Sequence, residues 1–428
     1  MSLDRLTELR AESIDWRFRA FPPTSEPALI GTIGERGWNA LGGDLLLPVL
    51  VIKESALAHN IALMAEFCRA QGVSLAPHGK TPMAPQLVER QLEAGAWGVT
   101  AATVAQSRLF RAFGVGRILL ANELAEQAGL SWLAAELAAD PGFDFYCLVD
   151  SVELTTRMQD GLERLGAVRP VQVLVELGFD GGRTGCRTIE EARRVAEAVS
   201  RAPALTLAGV EGYEGLIEAG ELQATLARCD EFLARLRRLA LELAAHGAFA
   251  ERREIIVSAG GSAYFDRVVE RLGGDWGLDS PVRVVLRGGS YLTHDSGNYD
   301  RVSPFGTRIP GARLRPALEA WGVALSRPEP ELAIVGFGKR DVPYDLELPI
   351  PRLVRSDSGE IRPVDGELTV TALNDQHAFL RVERGYRLEI GELVGCGISH
   401  PCTAFDKWPL IPVVDDDYNV VDAVRTFF

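Results

Sequence analysis

Several features are scarce in this 428-residue sequence, and each absence excludes a class of protein. No apolar run approaches the length needed to cross a bilayer, and the charged start MSLDRLTELRAESIDWRF contains no apolar signal-peptide core. Six cysteines scattered over so long a chain are not typical of a disulfide framework. We therefore expect a cytoplasmic protein with reduced thiols and no membrane partner.

Basic charge is also scarce, because 45 Lys and Arg stand against 59 Asp and Glu and give a formal net charge of −14. No basic stripe with interleaved aromatic residues is found, so we expect no nucleic-acid partner. Repeats of fixed period are missing, and no G-x-G-x-x-G opens a helix after the first strand. The remaining class is a globular enzyme or a binder of small molecules.

What the sequence does contain, from about residue 50 to 300, is an alternation of short β-branched runs with longer helical segments. The first helical segment, ESALAHNIALMAEFCRAQG, puts Leu57, Ile61, Met64 and Cys68 on one face and ends at Gly72. The strands predicted after it are Val73–Ala76, Trp97–Ala101, Ile118–Ala121, Phe143–Val149, Val171–Glu176, Leu205–Glu211, Glu254–Ser258 and Val282–Leu286. Eight βα units predict an α/β fold with a (β/α)8 TIM-type barrel, and a doubly wound open sheet is the competing fold.

Beyond about Gly311 the pattern changes to short alternating runs broken by Pro, Gly and Asp turns, which predicts a C-terminal β-rich domain. We therefore divide the chain into an N-terminal arm with helical character at 1–44, a barrel at 45–310 and a β-rich domain at 311–428. The segment Leu45–Ile52 is a candidate additional strand of the second domain.

Candidate active-site residues follow the predicted strand ends, where barrel enzymes gather their sites. Lys80, in APHGKTPM after the first strand, could form an imine with a carbonyl cofactor, although most loop lysines are simply solvated. Later strand ends supply a cation, two tyrosines and glycine turns whose N–H groups suit a phosphate. These residues are Arg183, Tyr213, Gly260, Gly261, Ser262, Gly288, Gly289 and Tyr291. Individually they are ordinary βα-loop residues, but together they match the needs of a phosphorylated pyridine aldehyde.

The predicted β-rich domain contributes GISHPCTAFDKW, in which His400 and Cys402 are two residues apart. On an extended segment both side chains would point the same way and could hold Zn²⁺ with open positions for water or substrate. The alternative is a packed histidine beside a buried cysteine. Cys396 is a candidate third ligand, and His377 is a histidine that we expect near this site.

These motifs, in this order, resemble the fold type III pyridoxal-5′-phosphate (PLP) enzymes of the D-threonine aldolase and D-serine dehydratase group. The resemblance rests on PHGKT, on the segment AGAWGVTAATVAQSRLFRAFGVGRILLANEL, and then on GGRTGC, GYEG, VSAGGS, RGGSYLTHDSG and SHPCTAFDKW. It covers the chain from about Val49 to the C-terminus. It implies an alanine-racemase-like barrel with a β domain, a homodimer and a small D-amino acid substrate.

The resemblance also implies roles for individual residues. Lys80 would carry the Schiff base, and His400 and Cys402 would bind a divalent metal, either zinc or manganese. The residues expected around the cofactor are Lys80, His78, Arg183, Tyr213, Gly260, Gly261, Ser262, Gly289, Ser290 and Tyr291. The H-x-C pair resembles the dehydratase branch, whereas the aldolases more often have H-x-D and a histidine where this chain has Leu216. We therefore expect β-elimination of water from a D-β-hydroxy amino acid, followed by hydrolysis to a keto acid and ammonia, with retro-aldol cleavage as the alternative.

Three other functions remain as alternatives. A racemase would need a second acid–base residue on the opposite face of the cofactor and no metal. A non-catalytic PLP carrier would lack the second domain and its His/Cys pair. A metal-dependent barrel hydrolase would need more His and Asp ligands at the strand ends than this sequence has.

Overall fold

The computed structural model describes residues 3–23, 25–250 and 252–428, so residues 1, 2 and 24 of the predicted arm lie outside the described residues. The strands are β1 (Ser13–Ile14), β2 (Ala28–Leu29), β3 (Val49–Lys53), β4 (Ser74–Leu75), β5 (Val99–Ala101), β6 (Arg117–Glu123), β7 (Asp144–Val149), β8 (Val171–Leu177), β9 (Leu205–Gly212), β10 (Ile255–Ser258), β11 (Val282–Leu286), β12 (Leu318–Glu329), β13 (Leu332–Val335), β14 (Ile350–Arg355), β15 (Ile361–Pro363), β16 (Leu368–Leu373), β17 (Ala378–Val382), β18 (Leu393–Gly397), β19 (Leu410–Val414) and β20 (Val420–Arg425). The helices are α1 (Leu3–Arg10), α2 (Glu54–Gln71), α3 (Pro85–Glu93), α4 (Val104–Ala112), α5 (Gln127–Ala139), α6 (Val152–Arg164), α7 (Ile189–Ser200), α8 (Leu222–Ala245), α9 (Phe265–Leu272), α10 (Asn298–Val302), α11 (Pro304–Thr307) and α12 (Pro401–Phe405), with 3-10 helices at Ile30–Arg36 and Ser290–Leu292.

The chain divides into two units, of which the first contains residues 65–80 and 91–289. Its sheet has eight strands in the order β4-β11-β10-β9-β8-β7-β6-β5, and every pair along this path is parallel. All eight strands coincide with runs predicted from the sequence. The predicted (β/α)8 barrel is therefore confirmed, and the doubly wound open sheet is excluded.

The barrel closes between β4 and β5 through the loop that follows β4. Trp97 N–H donates to the Leu75 carbonyl at 2.7 Å, and Gly79 N–H donates to the Thr100 carbonyl at 2.8 Å. Thr100 also donates through its hydroxyl to the Ala76 carbonyl at 2.6 Å. Since β4 itself has only two residues, the segment preceding Lys80 forms this seam.

The barrel interior is filled by apolar side chains from six strands and from Ala76, which follows β4 directly. This layer consists of Ala76, Leu119, Tyr146, Leu148, Leu174, Ala208, Ile256 and Val285. Next to it, Gly209 allows β9 and β10 to approach closely, because a Cβ at this position would lie 1.8 Å from the Ile256 carbonyl oxygen. The interior of the barrel is therefore a packed apolar core and not a pore.

Local sequence signals set several helix ends. Gly72 has φ +63° and follows α2, as the sequence predicted. At the start of α7, Thr188 and Glu191 form a reciprocal capping box, in which each side chain accepts the other residue's N–H. This cap fixes the point at which the glycine-rich loop after β8 becomes helical.

The second unit contains residues 3–64, 81–90 and 290–428. Its largest sheet follows the path β15-β14-β18-β12-β13-β17-β16, and β3, β19 and β20 are attached beside it. Strand β3 pairs antiparallel with β12 and parallel with β19. All five residues of β3 are buried, which explains the apolar run Val49–Ile52 before Lys53.

Among the described residues, no helix combines the length and the apolar character that crossing a bilayer would require.

Candidate active site and metal site

Lys80 lies in the loop after β4 and is exposed, whereas the neighbouring His78 is largely enclosed. Burial, and then the positive charges of Lys80 and Arg287, hold the pKa of His78 well below its ordinary value, and Arg183 adds to this effect. His78 is therefore neutral near pH 7. Its Nδ1 is buried without a hydrogen-bond partner among the described residues. Three cations of the barrel unit thus act on the pKa of a histidine whose Nδ1 has no hydrogen-bond partner among the described residues.

Arg183 is presented by a loop that another arginine organises. Arg187 donates to the carbonyls of Thr184 and Gly185 at 2.7 Å and to the carbonyl of Gly182 at 2.9 Å. Within the loop so formed, the Arg183 guanidinium lies 5.3 Å from the centroid of the Tyr213 ring. Sequence reasoning selected Arg183 but missed Arg187, because its role depends on how the loop folds.

Tyr213 and the glycine turn after β10 also come together. A Cβ on Gly261 would lie 2.7 Å from the Tyr213 ring, so only glycine allows this approach. A Cβ on Gly288 would lie 3.8 Å from the Ser262 Cα, which puts the turn after β11 beside the turn after β10. The fold therefore gathers the predicted turns at one end of the barrel.

The backbone donors of the turn after β10 have a partner that the sequence did not reveal. The N–H groups of Gly260 and Gly261 donate to the two carboxylate oxygens of buried Glu214, at 3.0 and 2.8 Å. This corrects the expectation that these two N–H groups are open to a phosphate. The group that accepts these two N–H bonds is the side chain of Glu214. In the sequence, only the place of Glu214 in the motif GYEG, just after a predicted strand, points to this role.

A buried ion pair joins β9 to the turn after β11. Arg287 contacts Glu211 and donates to the Ser258 hydroxyl at 3.1 Å. The second carboxylate oxygen of Glu211 has no hydrogen-bond partner among the described residues. Sequence reasoning missed this pair, because the two residues are far apart in the chain and each follows an unremarkable strand.

Acidic side chains line the same end of the barrel. Glu123, Asp150 and Glu176 present carboxylate oxygens that lie within 4.8 Å of one another. Glu176 also accepts from the Thr184 hydroxyl at 2.8 Å. Burial, then the charge of Glu211 and a hydrogen bond with Glu123, raise the pKa of Glu176 to about 10. Glu176 is therefore protonated near neutral pH, which reduces the repulsion among these acids.

In the second unit, His400 and Cys402 form a cluster with three residues that the sequence did not single out, Asp345, Thr403 and Thr81. His400 Nδ1 lies 2.5 Å from Asp345 Oδ2, and the Thr403 hydroxyl donates to Asp345 Oδ1 at 2.8 Å. Hydrogen bonding to Cys402, and then to Asp345, raises the pKa of His400 to about 9 despite partial burial. On the other side of the cluster, the Cys402 sulfur lies 3.3 Å from the hydroxyl of Thr81.

The expectation that His400 and Cys402 both lie on extended backbone is wrong. Only His400 is extended, with φ −151° and ψ 97°, and α12 begins at Pro401. Cys402 therefore reaches the imidazole from the first helical turn. Cys396 is buried within β18, where burial raises the pKa of its thiol, and His377 is exposed in the turn between β16 and β17. The contacts of the cluster involve Asp345 and Thr403 instead.

Gly289, Ser290 and Tyr291, the remaining predicted cofactor residues, follow β11 in the chain. Gly289 is buried and ends the barrel unit, while Ser290 begins the 3-10 helix Ser290–Leu292 in the second unit. Tyr291 is almost completely buried.

The fold and these side chains define a class, namely a barrel whose first strand is followed by a lysine among cations, joined to a β-rich unit with a His/Cys pair. Comparison with known families agrees with this class. Residues 52–265, half of the chain, match the alanine racemase N-terminal domain, and residues 317–414 match a serine dehydratase domain. The chain therefore belongs to the alanine-racemase-like, fold type III family of PLP enzymes.

Individual relatives refine this placement. A D-threonine aldolase from Arthrobacter sp. is 26% identical over 371 residues, 86% of this chain and 89% of the relative. A D-threo-3-hydroxyaspartate dehydratase from Delftia sp. (strain HT23) is 32% identical over 138 residues, 32% of this chain and 35% of the relative. The crystal structure of a D-threonine aldolase from Filomicrobium marinum superposes with a TM-score of 0.73 at 23% identity, covering 90% of this chain and 95% of that chain.

Proposed function

We propose that this protein is a PLP-dependent lyase that eliminates water from a D-β-hydroxy amino acid, such as D-serine or D-threonine. Hydrolysis of the dehydrated product takes the water up again, so the net products are a keto acid and ammonia. The observation that carries the proposal is the cluster of His400, Cys402 and Thr81. Thr81, which follows Lys80 in the chain, belongs to the second unit and contacts Cys402 of the proposed metal pair.

The barrel residues fit PLP. Lys80 would hold the cofactor covalently through Nζ, and neutral His78, with its unsatisfied Nδ1, would lie beside it. Positive charge from Arg183 and Arg287 suits an anionic ligand. Because Gly260 and Gly261 are engaged by Glu214, we assign the phosphate to Ser262 and Gly289 of the barrel unit, with Tyr213 near the cofactor.

The second-unit residues fit a divalent metal. An imidazole beside a thiolate is a borderline-soft donor pair that favours zinc over manganese, and two protein ligands leave positions open for a substrate hydroxyl. When bound, PLP would withdraw electrons from the substrate α-carbon and the metal would polarise the β-hydroxyl. Lys80 Nζ, once free, would take the α-proton, and Cys402 and His400 would keep the metal in place while the hydroxyl leaves.

Retro-aldol cleavage to glycine and an aldehyde is the second candidate function, because the relative matched over 86% of this chain is an aldolase. Two features of this chain favour elimination. Leu216 is 49% exposed at the position where the resemblance places a histidine in the aldolases, and Cys402 stands where they more often have aspartate.

Product analysis tests the proposal. D-serine, D-threonine and D-3-hydroxyaspartate are each incubated with the PLP-loaded protein, with and without a chelator, and assayed for ammonia, keto acid, glycine and aldehyde. We expect ammonia and keto acid in equal amounts, lost on chelation and in Lys80→Ala. Glycine with aldehyde would instead establish the aldolase, and an L-amino acid product would establish a racemase. Leu216→His with Cys402→Asp is the matched variant expected to shift products towards glycine.

A further inference from the structure

Both oxygens of the Asp345 carboxylate are used within the His400 cluster. Oδ2 meets His400 Nδ1 at 2.5 Å, and Oδ1 accepts the Thr403 hydroxyl at 2.8 Å. A carboxylate held at both oxygens has a fixed orientation. It therefore fixes the imidazole plane and favours the tautomer that carries its proton on Nδ1. The lone pair then lies on Nε2, the nitrogen left for a ligand.

The loop that carries Asp345 is tied to the segment 399–408 on both sides of the aspartate. Before it, the Asp341 carbonyl accepts Trp408 Nε1–H at 2.8 Å. After it, the Glu347 carbonyl accepts the Ser399 hydroxyl at 2.7 Å. Because the two anchors belong to the segment that contains His400, loop and histidine keep their relative position even though Asp345 is 42% exposed.

We propose that Asp345 is a positioning residue for the metal: it holds His400 Nδ1–H so that Nε2 and the Cys402 sulfur are preorganised as the two protein donors. This inference rests on the proposed function, since it assumes that the pair binds a metal. Histidine ligands commonly donate their second ring N–H to a carboxylate, which orients the ring and strengthens it as a donor. Both Asp345 oxygens face protein groups of the His400 cluster, so we assign Asp345 to act through His400.

The test measures Zn²⁺ affinity of the PLP-loaded, metal-free protein by competition with a chromophoric chelator. Asp345→Leu removes the hydrogen bonds at similar size and is expected to weaken Zn²⁺ binding by roughly 10- to 100-fold. The matched control is Asp406→Asn, because Asp406 pairs with Lys407 at 3.7 Å and affects His400 only through its charge. The control is expected to change affinity by about twofold or less, since exposed charges are screened.

A second readout follows the histidine itself. With only six histidines in the chain, ¹⁵N-histidine labelling allows the ring nitrogens of His400 to be assigned by comparison with His400→Gln. With Zn²⁺ bound, the unsubstituted protein is expected to carry the single ring proton of His400 on Nδ1, and Asp345→Leu is expected to show a mixture of tautomers. Should Asp345→Leu fail to fold, Thr403→Val loosens one carboxylate oxygen and is expected to cost about two- to tenfold in affinity.

The outcomes distinguish failure of the positioning role of Asp345 from failure of the metal pair itself. If Asp345→Leu, or in its place Thr403→Val, keeps both affinity and tautomer while His400→Ala loses Zn²⁺, the metal pair is correct and the positioning role is refuted. If His400→Ala and Cys402→Ala bind Zn²⁺ as tightly as the unsubstituted protein, the metal pair itself is wrong and the inference falls with it.

Discussion

Replacing Glu176 with glutamine is expected to make the protein increasingly more stable than the unsubstituted chain as the pH rises. Glu176 is 3% exposed and sits opposite Glu211 in the register of β8 and β9. A glutamine amide has the size of the protonated acid, its oxygen can accept from Thr184, and its NH₂ group can donate to Glu123. The substitution therefore keeps the packing and removes the titration.

The magnitude follows from proton linkage. The usual pKa of this carboxyl is 4.5, and burial with its acidic neighbours raises the pKa of Glu176 to about 10 in the folded protein. Between these values the folded chain holds one proton more than the unfolded chain, so the free energy of unfolding falls as the pH rises, by up to about 1.4 kcal/mol per pH unit. Over about three units this amounts to about 4 kcal/mol at most, and Glu176→Gln lacks the loss entirely.

The assay is urea unfolding of both proteins at a series of pH values between about 6 and about 9. The difference in stability between variant and unsubstituted protein should widen steadily with pH. Glu66→Gln, at an exposed acid in α2, is the control and should give a constant difference. A difference for Glu176→Gln that stays flat would show that Glu176 is ionised in the folded protein, and the reasoning would be refuted.

The remaining predictions concern the ion pair, the tightest strand approach and the assembly. Arg287→Met is expected to cost about 3–5 kcal/mol of unfolding free energy, because it leaves the buried Glu211 carboxyl without its partner. Glu211→Leu in the same chain should restore much of the loss, and full stability of the single variant would contradict this. Gly209→Ala should lower the melting temperature by several degrees or prevent folding, because its Cβ would meet the backbone oxygen of Ile256, whereas Gly116→Ala has open space and should be mild. Light scattering is expected to give twice the 46.5 kDa chain mass, since we propose a homodimer, and a monomer at all concentrations would rule this out.

The barrel strands could be predicted because their signal is local. The eight strands lie in short and mostly apolar runs, and residues such as Val173 and Val257 are buried. Gly72 likewise ends α2 through its own backbone freedom. Neither feature depends on a distant partner.

The partners of the site residues could not be predicted, because a sequence does not state which distant group a side chain meets. Nothing near Gly260 indicates that Glu214 occupies its N–H, and nothing near His400 indicates Asp345. The spacing of His400 and Cys402 suggested a pair on extended backbone, whereas a helix beginning between them makes the contact. Such contacts depend on loop conformation, which composition and periodicity do not encode.

The seam between β4 and β5 has a consequence for motion. Where the other barrel strands share ladders, this junction depends on a few bonds made by the residues that lead into Lys80, including Gly79 N–H to Thr100. Opening of the barrel should therefore begin here, and hydrogen–deuterium exchange at the Gly79 amide should be faster than in β8. The expected cofactor lysine, Lys80, follows Gly79 directly. Loading with cofactor is therefore expected to slow hydrogen–deuterium exchange at the Gly79 amide.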